Sequence, residues 1–102
     1  MAARSAPSCE FNPEARAEFA EASRYYQERS GSGEALEEEV RRAVRMILEF
    51  PESSPVVTAE GARRKNLRRF PYSLYYLIEP DVIRIMAVAH QSRLPGYWTD
   101  RR

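Results

Sequence analysis

The hydrophobic pattern of this chain changes period once, between Pro51 and Pro71, and that change constrains the fold more than any other feature. Before it, apolar residues recur at helical spacing. Ala15, Phe19, Ala22 and Tyr26 are four, three and four residues apart and share one helical face, while Glu14, Glu18, Glu21, Arg24 and Glu28 lie mainly away from it. Asn12-Pro13-Glu14 supplies a capping side chain, a proline at the first helical position and an acid near the positive helix end. Ser30-Gly31-Ser32-Gly33 then breaks the pattern as a flexible turn. A second helical pattern carries Leu36, Val40, Val44, Ile47 and Leu48 on one side and Glu37, Glu38, Arg41, Arg42 and Arg45 largely on the other. It stops before Pro51, because the residue preceding a proline is pushed out of the helical region. Two amphipathic helices joined by a short turn make a helical hairpin.

After the change the period is two. Tyr72, Leu74, Tyr76 and Ile78 alternate with Ser73, Tyr75, Leu77 and Glu79, giving a strand with one apolar and one mixed face. Glu79-Pro80-Asp81-Val82 reads as a tight turn. The next strand, Val82 to His90, places Ile83, Ile85, Ala87 and Ala89 on one side and Val82, Met86 and Val88 on the other, so it belongs in the middle of its sheet. Ala62 to Arg69 is a weaker strand anchored by Leu67, and Ser8 to Phe11 a short leading strand with Cys9 and Phe11 on one side. Residues 49–61 form a connecting loop and 93–102 a tail, in which Tyr97 and Trp98 need a surface to cover. The expected fold is α+β in the order β-α-α-β-β-β, an antiparallel-rich sheet with a helical hairpin packed on one face. Phe19, Tyr26, Val40, Val44 and Ile47 are expected to meet Leu74, Tyr76 and the apolar side of the last strand in one core.

The 102 residues are expected to form one domain with its core at about 8–98 and short tails at both ends. With 30% charged residues and no uncharged run longer than Phe70–Ile78, the chain is not expected to span a membrane, and no signal peptide is readable at its start. The single Cys9 has no internal disulfide partner and no Cys/His cluster is available for zinc, so a reducing cytoplasm is the expected location. The charge is uneven. Residues 1–60 carry 12 acidic and 7 basic side chains, whereas residues 61–102 carry 3 acidic and 9 basic, which sum to the overall +1. Either the basic half faces an anionic partner or the two halves neutralise each other across the fold.

No phosphate-binding loop, dinucleotide motif, metal-binding helix or nucleophile elbow is present, and no cofactor or metal is expected. His90 ends the central strand and has the chemistry of a general acid or base, with Arg93 and Tyr97 close enough to join it. The competing reading is a histidine that ties the tail to the sheet. In Arg63-Arg64-Lys65-Asn66-Leu67-Arg68-Arg69, five cations in seven residues suit phosphate binding, and serve equally as a solvated edge that discourages aggregation.

Read in order, these segments resemble the RelE/ParE superfamily of toxins from bacterial type II toxin–antitoxin modules, the plasmid-stabilisation type. The resemblance is carried by Phe11-Asn12-Pro13-Glu14-Ala15 with Glu18-Phe19 and Tyr25-Tyr26, by Ile47-Leu48-Glu49-Phe50-Pro51, and by Leu67-Arg68-Arg69-Phe70-Pro71-Tyr72 with Leu74-Tyr75-Tyr76. It ends at Ala87-Val88-Ala89-His90, Arg93 and Pro95-Gly96-Tyr97-Trp98, and so runs from about Cys9 to Trp98. It implies the same sheet and helical hairpin, and a cognate antitoxin, encoded alongside, whose C-terminal segment wraps the toxin into a hetero-oligomer.

The superfamily divides by target. The ribosome-dependent mRNA endoribonucleases, which use no metal, resemble one another in a set of basic groups and a tyrosine on the concave sheet face. One of their arginines commonly follows the tyrosine matched by Tyr72, where this chain has Ser73. Another cation often lies near Gln91, which is neutral. The catalytic set that a nuclease would have to assemble here is Arg68, Arg69, His90, Arg93 and Tyr97. Loss of two cations weakens the case for phosphoryl-transfer chemistry, and the resemblance leans to the ParE-like branch, whose members bind DNA gyrase and need no catalytic residues. Arg63, Arg64, Lys65, Arg68, Arg69, Arg93 and Trp98 are the residues expected to contact a protein partner or nucleic acid.

Overall fold

The computed structural model describes residues 8–94 and 96–101. The N-terminal tail before Ser8, Pro95 of the C-terminal segment and Arg102 lie outside the described residues. The elements follow the expected order: β1 (Ser8–Phe11), α1 (Pro13–Ser30), α2 (Gly33–Glu49), β2 (Arg63–Asn66), β3 (Tyr72–Ile78) and β4 (Val82–His90). One four-stranded sheet has the spatial order β1-β4-β3-β2, with β1 parallel to β4 and the other neighbours antiparallel. No described helix is long and apolar enough to cross a membrane.

The helix start works as its residues dictate. Asn12 Oδ1 accepts a 2.9 Å bond from the Ala15 N–H, Pro13 occupies the first turn, and the Asn12 N–H donates to the Ile85 carbonyl of β4, also at 2.9 Å. The serine–glycine segment is a tight junction rather than a flexible turn. Gly31 adopts φ 68°, and its N–H and that of Ser32 close on the Gln27 and Tyr26 carbonyls. Gly33 begins α2 pressed against α1, where a Cβ would lie 2.8 Å from the Ser23 carbonyl oxygen.

The helical hairpin covers one sheet face. Ala15 and Ala22 of α1 and Leu36, Val40, Ala43 and Ile47 of α2 are buried against Leu74 and Tyr76 of β3 and Ile83, Ile85 and Val88 of β4. Tyr76 is fully buried and its hydroxyl donates to the Pro51 carbonyl at 2.6 Å, which ties the loop after α2 to the core. Phe19, Tyr26 and Val44, expected at the centre, are half-buried at its margin, and Ala43 takes the inward position instead. A small side chain there lets α2 approach its neighbours closely.

A register shift separates Tyr75, opposite Ala87, from Tyr76, opposite Ile85, and leaves Met86 as the extra residue of a β-bulge. It reverses the alternation of β4. Ile83 and Ile85 face the helices before the bulge and Val88 faces them after it, while Met86 and Ala87 join the opposite face. The expected single phase, with Ala87 beside Ile85 and Val88 beside Met86, is therefore corrected. So is the single core: Ala62, Leu77, Met86, Ala87 and Trp98 form a second cluster on the other sheet face, with Tyr75 and Tyr97 at its edge.

The weak strand is shorter than expected. β2 ends at Asn66 because Leu67 turns into the main core and the next two N–H groups are drawn away from β3 by Glu39. The burial pattern of α2 yields a test. Ile47→Ala is expected to cost about 2–5 kcal/mol in urea unfolding, and Val44→Ala less than half as much. Equal losses would place Val44 in the core and refute the assigned face.

Candidate functional site

β4 is longer than the strand that flanks it. β1 pairs only with Val82–Ile85, and the chain then turns into α1. The backbone of β4 beyond that point needs other partners on this edge, and two side chains supply them. The Val88 N–H donates to Glu18 Oε1 at 3.0 Å, and Arg101 Nη1 donates to the Met86 carbonyl at 3.2 Å. Arg101 also grips both oxygens of Glu18 at 2.9 Å, and the Tyr97 hydroxyl donates to Glu18 Oε2 at 2.7 Å. One carboxylate thus joins α1, β4 and the C-terminal segment.

Electrostatics follow from that clamp. Burial acts to raise the Glu18 pKa, but the hydrogen bonds from Arg101, Tyr97 and the Val88 N–H, with the charge of Arg101, outweigh it and hold the carboxyl below its ordinary 4.5. The Tyr97 phenol moves the opposite way, well above 10.0, through burial first and then its bond to Glu18 and that residue's charge. Arg93 lies 3.8 Å from the centre of the Tyr97 ring, and Arg101 lies 5.0 Å from it.

The bulge turns His90 toward the helix side, where its ring meets Tyr72 edge-on at 5.2 Å. Its Nδ1 accepts the Ser92 N–H at 3.0 Å and lies 2.8 Å from Ser92 Oγ. That bond assigns the proton of the neutral ring to Nε2, which makes Nε2 a donor rather than a base. Glu18, Glu21, Tyr25, Tyr72, His90, Arg93 and Tyr97 line a shallow groove of about 230 Å³. Tyr72 is itself raised above 10.0 by burial and by the nearby Tyr26, Tyr25 and Glu21.

Of the five residues grouped for catalysis, the structure brings three together. His90, Arg93 and Tyr97 share this groove. Arg68 and Arg69 sit at the β2–β3 turn between the buried anchors Leu67 and Phe70, with their N–H groups on Glu39 Oε1 at 2.5 and 2.7 Å. The rest of the basic run is divided by strand alternation. Arg63 is occupied in holding the Glu52 and Ser54 carbonyls, at 3.0 and 2.7 Å. Arg64 borders a groove with Tyr75 and Trp98, whereas Lys65 shares one with Arg68 and Arg42. Trp98 is only 3% exposed, its ring 5.0 Å from that of Tyr75, so in the free chain it covers the sheet. Cys9 has its thiol pushed up to about 11 by burial and by Glu10, which leaves it unreactive. Among the described residues no cluster of His, Cys, Asp and Glu could hold a metal ion.

Glu18 and Arg101 were not among the sequence candidates. Glu18 carried a signal, since it lies three residues after Ala15 and four before Ala22 and so borders the buried stripe. Arg101 carried none, because its contact exists only once the C-terminal segment has folded back.

A family model described as the ParE toxin of the type II toxin–antitoxin system, parDE, matches residues 9–95. Among solved structures, the chain is similar to one described as the chromosomal ParDE toxin–antitoxin system from P. aeruginosa, with a TM-score of 0.72 and 18% identity over 83% of this chain and 96% of that one. At that identity the likeness is one of fold. No curated protein matches the chain in sequence.

The clamp gives a pH dependence. Because the folded pKa of Glu18 lies below its unfolded value, its contribution is fully present above the unfolded value and is lost as the pH falls through the folded one. Glu18→Gln is expected to lose about 2 kcal/mol at pH 7. Its stability deficit against wild type should narrow below pH 4.5. A deficit constant from neutral to strongly acidic pH in thermal melts would show that the charge of Glu18 does not stabilise the clamp.

Proposed function

The chain belongs to the ParE toxin family of type II toxin–antitoxin systems, and from that premise we propose that, when free of antitoxin, it arrests growth by binding DNA gyrase rather than by cutting mRNA. As the toxin of such a module it has a cognate antitoxin as its partner. In this reading the resting state is a toxin–antitoxin hetero-oligomer in the cytoplasm, where gyrase is found.

The observation that carries the reading is the engagement of the Tyr97 hydroxyl by Glu18. An endoribonuclease without metal must deprotonate a 2′-hydroxyl, protonate the leaving oxygen and stabilise an anionic phosphorane. Here the phenol donates into a carboxylate and resists ionisation, and Nδ1 of His90 is taken by Ser92. Ser73, at the position where the ribonucleases carry an arginine, is buried and donates to Asn66 Oδ1 at 2.6 Å. Arg68 and Arg69 belong to a different turn. Glu18 and Glu21 would face the phosphates of any RNA laid in the His90 groove. A protein that acts by binding needs none of these groups to turn over.

The purified chain is expected to inhibit gyrase supercoiling and to leave a reconstituted translation reaction, and the mRNA in it, intact. Tyr97→Phe, which keeps the ring under Arg93, should arrest growth as wild type does. Loss of a working acid–base tyrosine would instead lower nuclease activity by about 10²–10⁴-fold. Cleavage of ribosome-bound mRNA with gyrase unaffected would overturn the proposal and establish the nuclease in its place.

A further inference from the structure

A second groove, of about 280 Å³, lies between α2 and the β2–β3 turn. Its floor is apolar, made by Ala43, Met46 and Leu67, and its rim carries Arg42, Lys65 and Arg68. Two features distinguish it from an ordinary solvated surface. On α2, Arg41 and Arg45 are both paired with Glu38, at 3.5 and 3.6 Å, whereas Arg42 between them has no ion pair among the described residues. Lys65 and Arg68 have none there either. The one carboxylate in the groove, Glu39, has an oxygen committed to the N–H groups of Arg68 and Arg69, so it fixes the turn and makes no ion pair with the three cations, which outnumber it. In addition Met46 is 44% exposed on a helix whose other apolar residues mostly pack inward. Methionine is the apolar side chain that best adapts its shape to an incoming one.

We propose that this groove is a docking point for an acidic segment of the cognate antitoxin, which seats one large apolar side chain on Met46, Ala43 and Leu67 and directs carboxylates to Arg42, Lys65 and Arg68. The proposal rests on membership of the toxin–antitoxin family and is independent of the gyrase mechanism. Charge complementarity selects the occupant. A nucleic-acid backbone would satisfy the cations but would offer nothing aliphatic to the floor of Ala43, Met46 and Leu67. At about 280 Å³ the groove has room for one or two side chains of a peptide. In such an interface the apolar anchor supplies most of the affinity, and the rim charges speed encounter and set register.

The test uses the full chain and the purified antitoxin encoded beside it, with association and dissociation followed by stopped flow at low and high salt. Arg42→Glu with Arg68→Glu should slow association about tenfold at low salt and flatten its salt dependence. Arg41→Glu alters net charge on the same helix outside the groove and should change the rate by less than about twofold. Met46→Asp should leave association nearly unchanged and raise the dissociation rate about tenfold or more. Arg42→Gln with Lys65→Gln replaces the double reversal if melting curves show that variant unfolded, and should slow association in the same direction. Wild-type rates and salt slopes in a folded double variant, with wild-type dissociation in Met46→Asp, would overturn the proposal. Intact antitoxin binding with gyrase inhibition lost would overturn it too, by assigning the groove to the target. A wild-type chain that binds antitoxin but leaves gyrase active refutes the mechanism above while these variants still decide the groove.

Discussion

The length mismatch between β1 and β4 is the constraint on which the rest of the structure depends. Four residues of β1 flank a nine-residue β4, and the edge left over lies in the middle of the molecule. Unpaired backbone there would carry the full cost of a buried donor or acceptor. Glu18 and Arg101 meet the Val88 N–H and the Met86 carbonyl as a neighbouring strand would. Because the same two side chains also bind each other and Tyr97, completing the sheet fixes the C-terminal segment. Trp98 is thereby laid over Leu77, Met86 and Ala87, and the second face of the sheet becomes a core rather than an exposed apolar surface.

The order of elements was legible because each helix and strand must bury one side, and burial writes its period into the sequence. What stayed illegible is instructive. Ile85-Met86-Ala87-Val88 is apolar throughout, so an extra residue inserted at Met86 leaves no mismatch to notice and either phase of β4 reads equally well. Ala43 and Val44 pose a similar ambiguity on α2. Hydrophobicity favours valine, but close approach of helix to sheet favours the smaller side chain, and distance rather than period decides. In Ser30–Gly33 the composition of a flexible linker and that of a tight helix junction are the same. The bonds of the Gly31 and Ser32 N–H groups to Gln27 and Tyr26 and the close approach of Gly33 to the Ser23 carbonyl distinguish them.

For the site, sequence proximity was a fair guide along β4 and its tail and a poor one along the basic run. His90, Arg93 and Tyr97 meet because a short turn brings the chain back on the side to which the bulge has rotated His90. Arg63 to Arg69 looks like a single patch only while it is a string of letters. Strand alternation divides Arg64 from Lys65, the loop carbonyls occupy Arg63, and the burial of Leu67 and Phe70 forces Arg68 and Arg69 out at a turn. Arg42 and Met46 belong to the same surface as Lys65 and Arg68 yet are about 20 residues away in sequence. No local pattern joins them.

The uneven charge is neutralised within the fold only in part. Part of the asymmetry is internal. Glu18 with Arg101, Glu10 with Arg84 at 3.5 Å, and Glu39 with the amides of the β2–β3 turn all connect the acidic half to the basic one. These contacts differ in weight. Glu10–Arg84 is largely exposed and contributes little, whereas Glu18 and Arg101 are mostly shielded, bond each other twice and make three further hydrogen bonds to Val88, Met86 and Tyr97. Three of the cations without an ion pair among the described residues lie together. Arg42, Lys65 and Arg68 come from a helix, a strand and a turn, and converge around a methionine that the fold has left half outside. A surface built in that way separates two tasks, with charge governing how fast a partner arrives and the apolar floor governing how long it stays. A toxin that has to be captured quickly after synthesis and held tightly afterwards needs the two to be set independently.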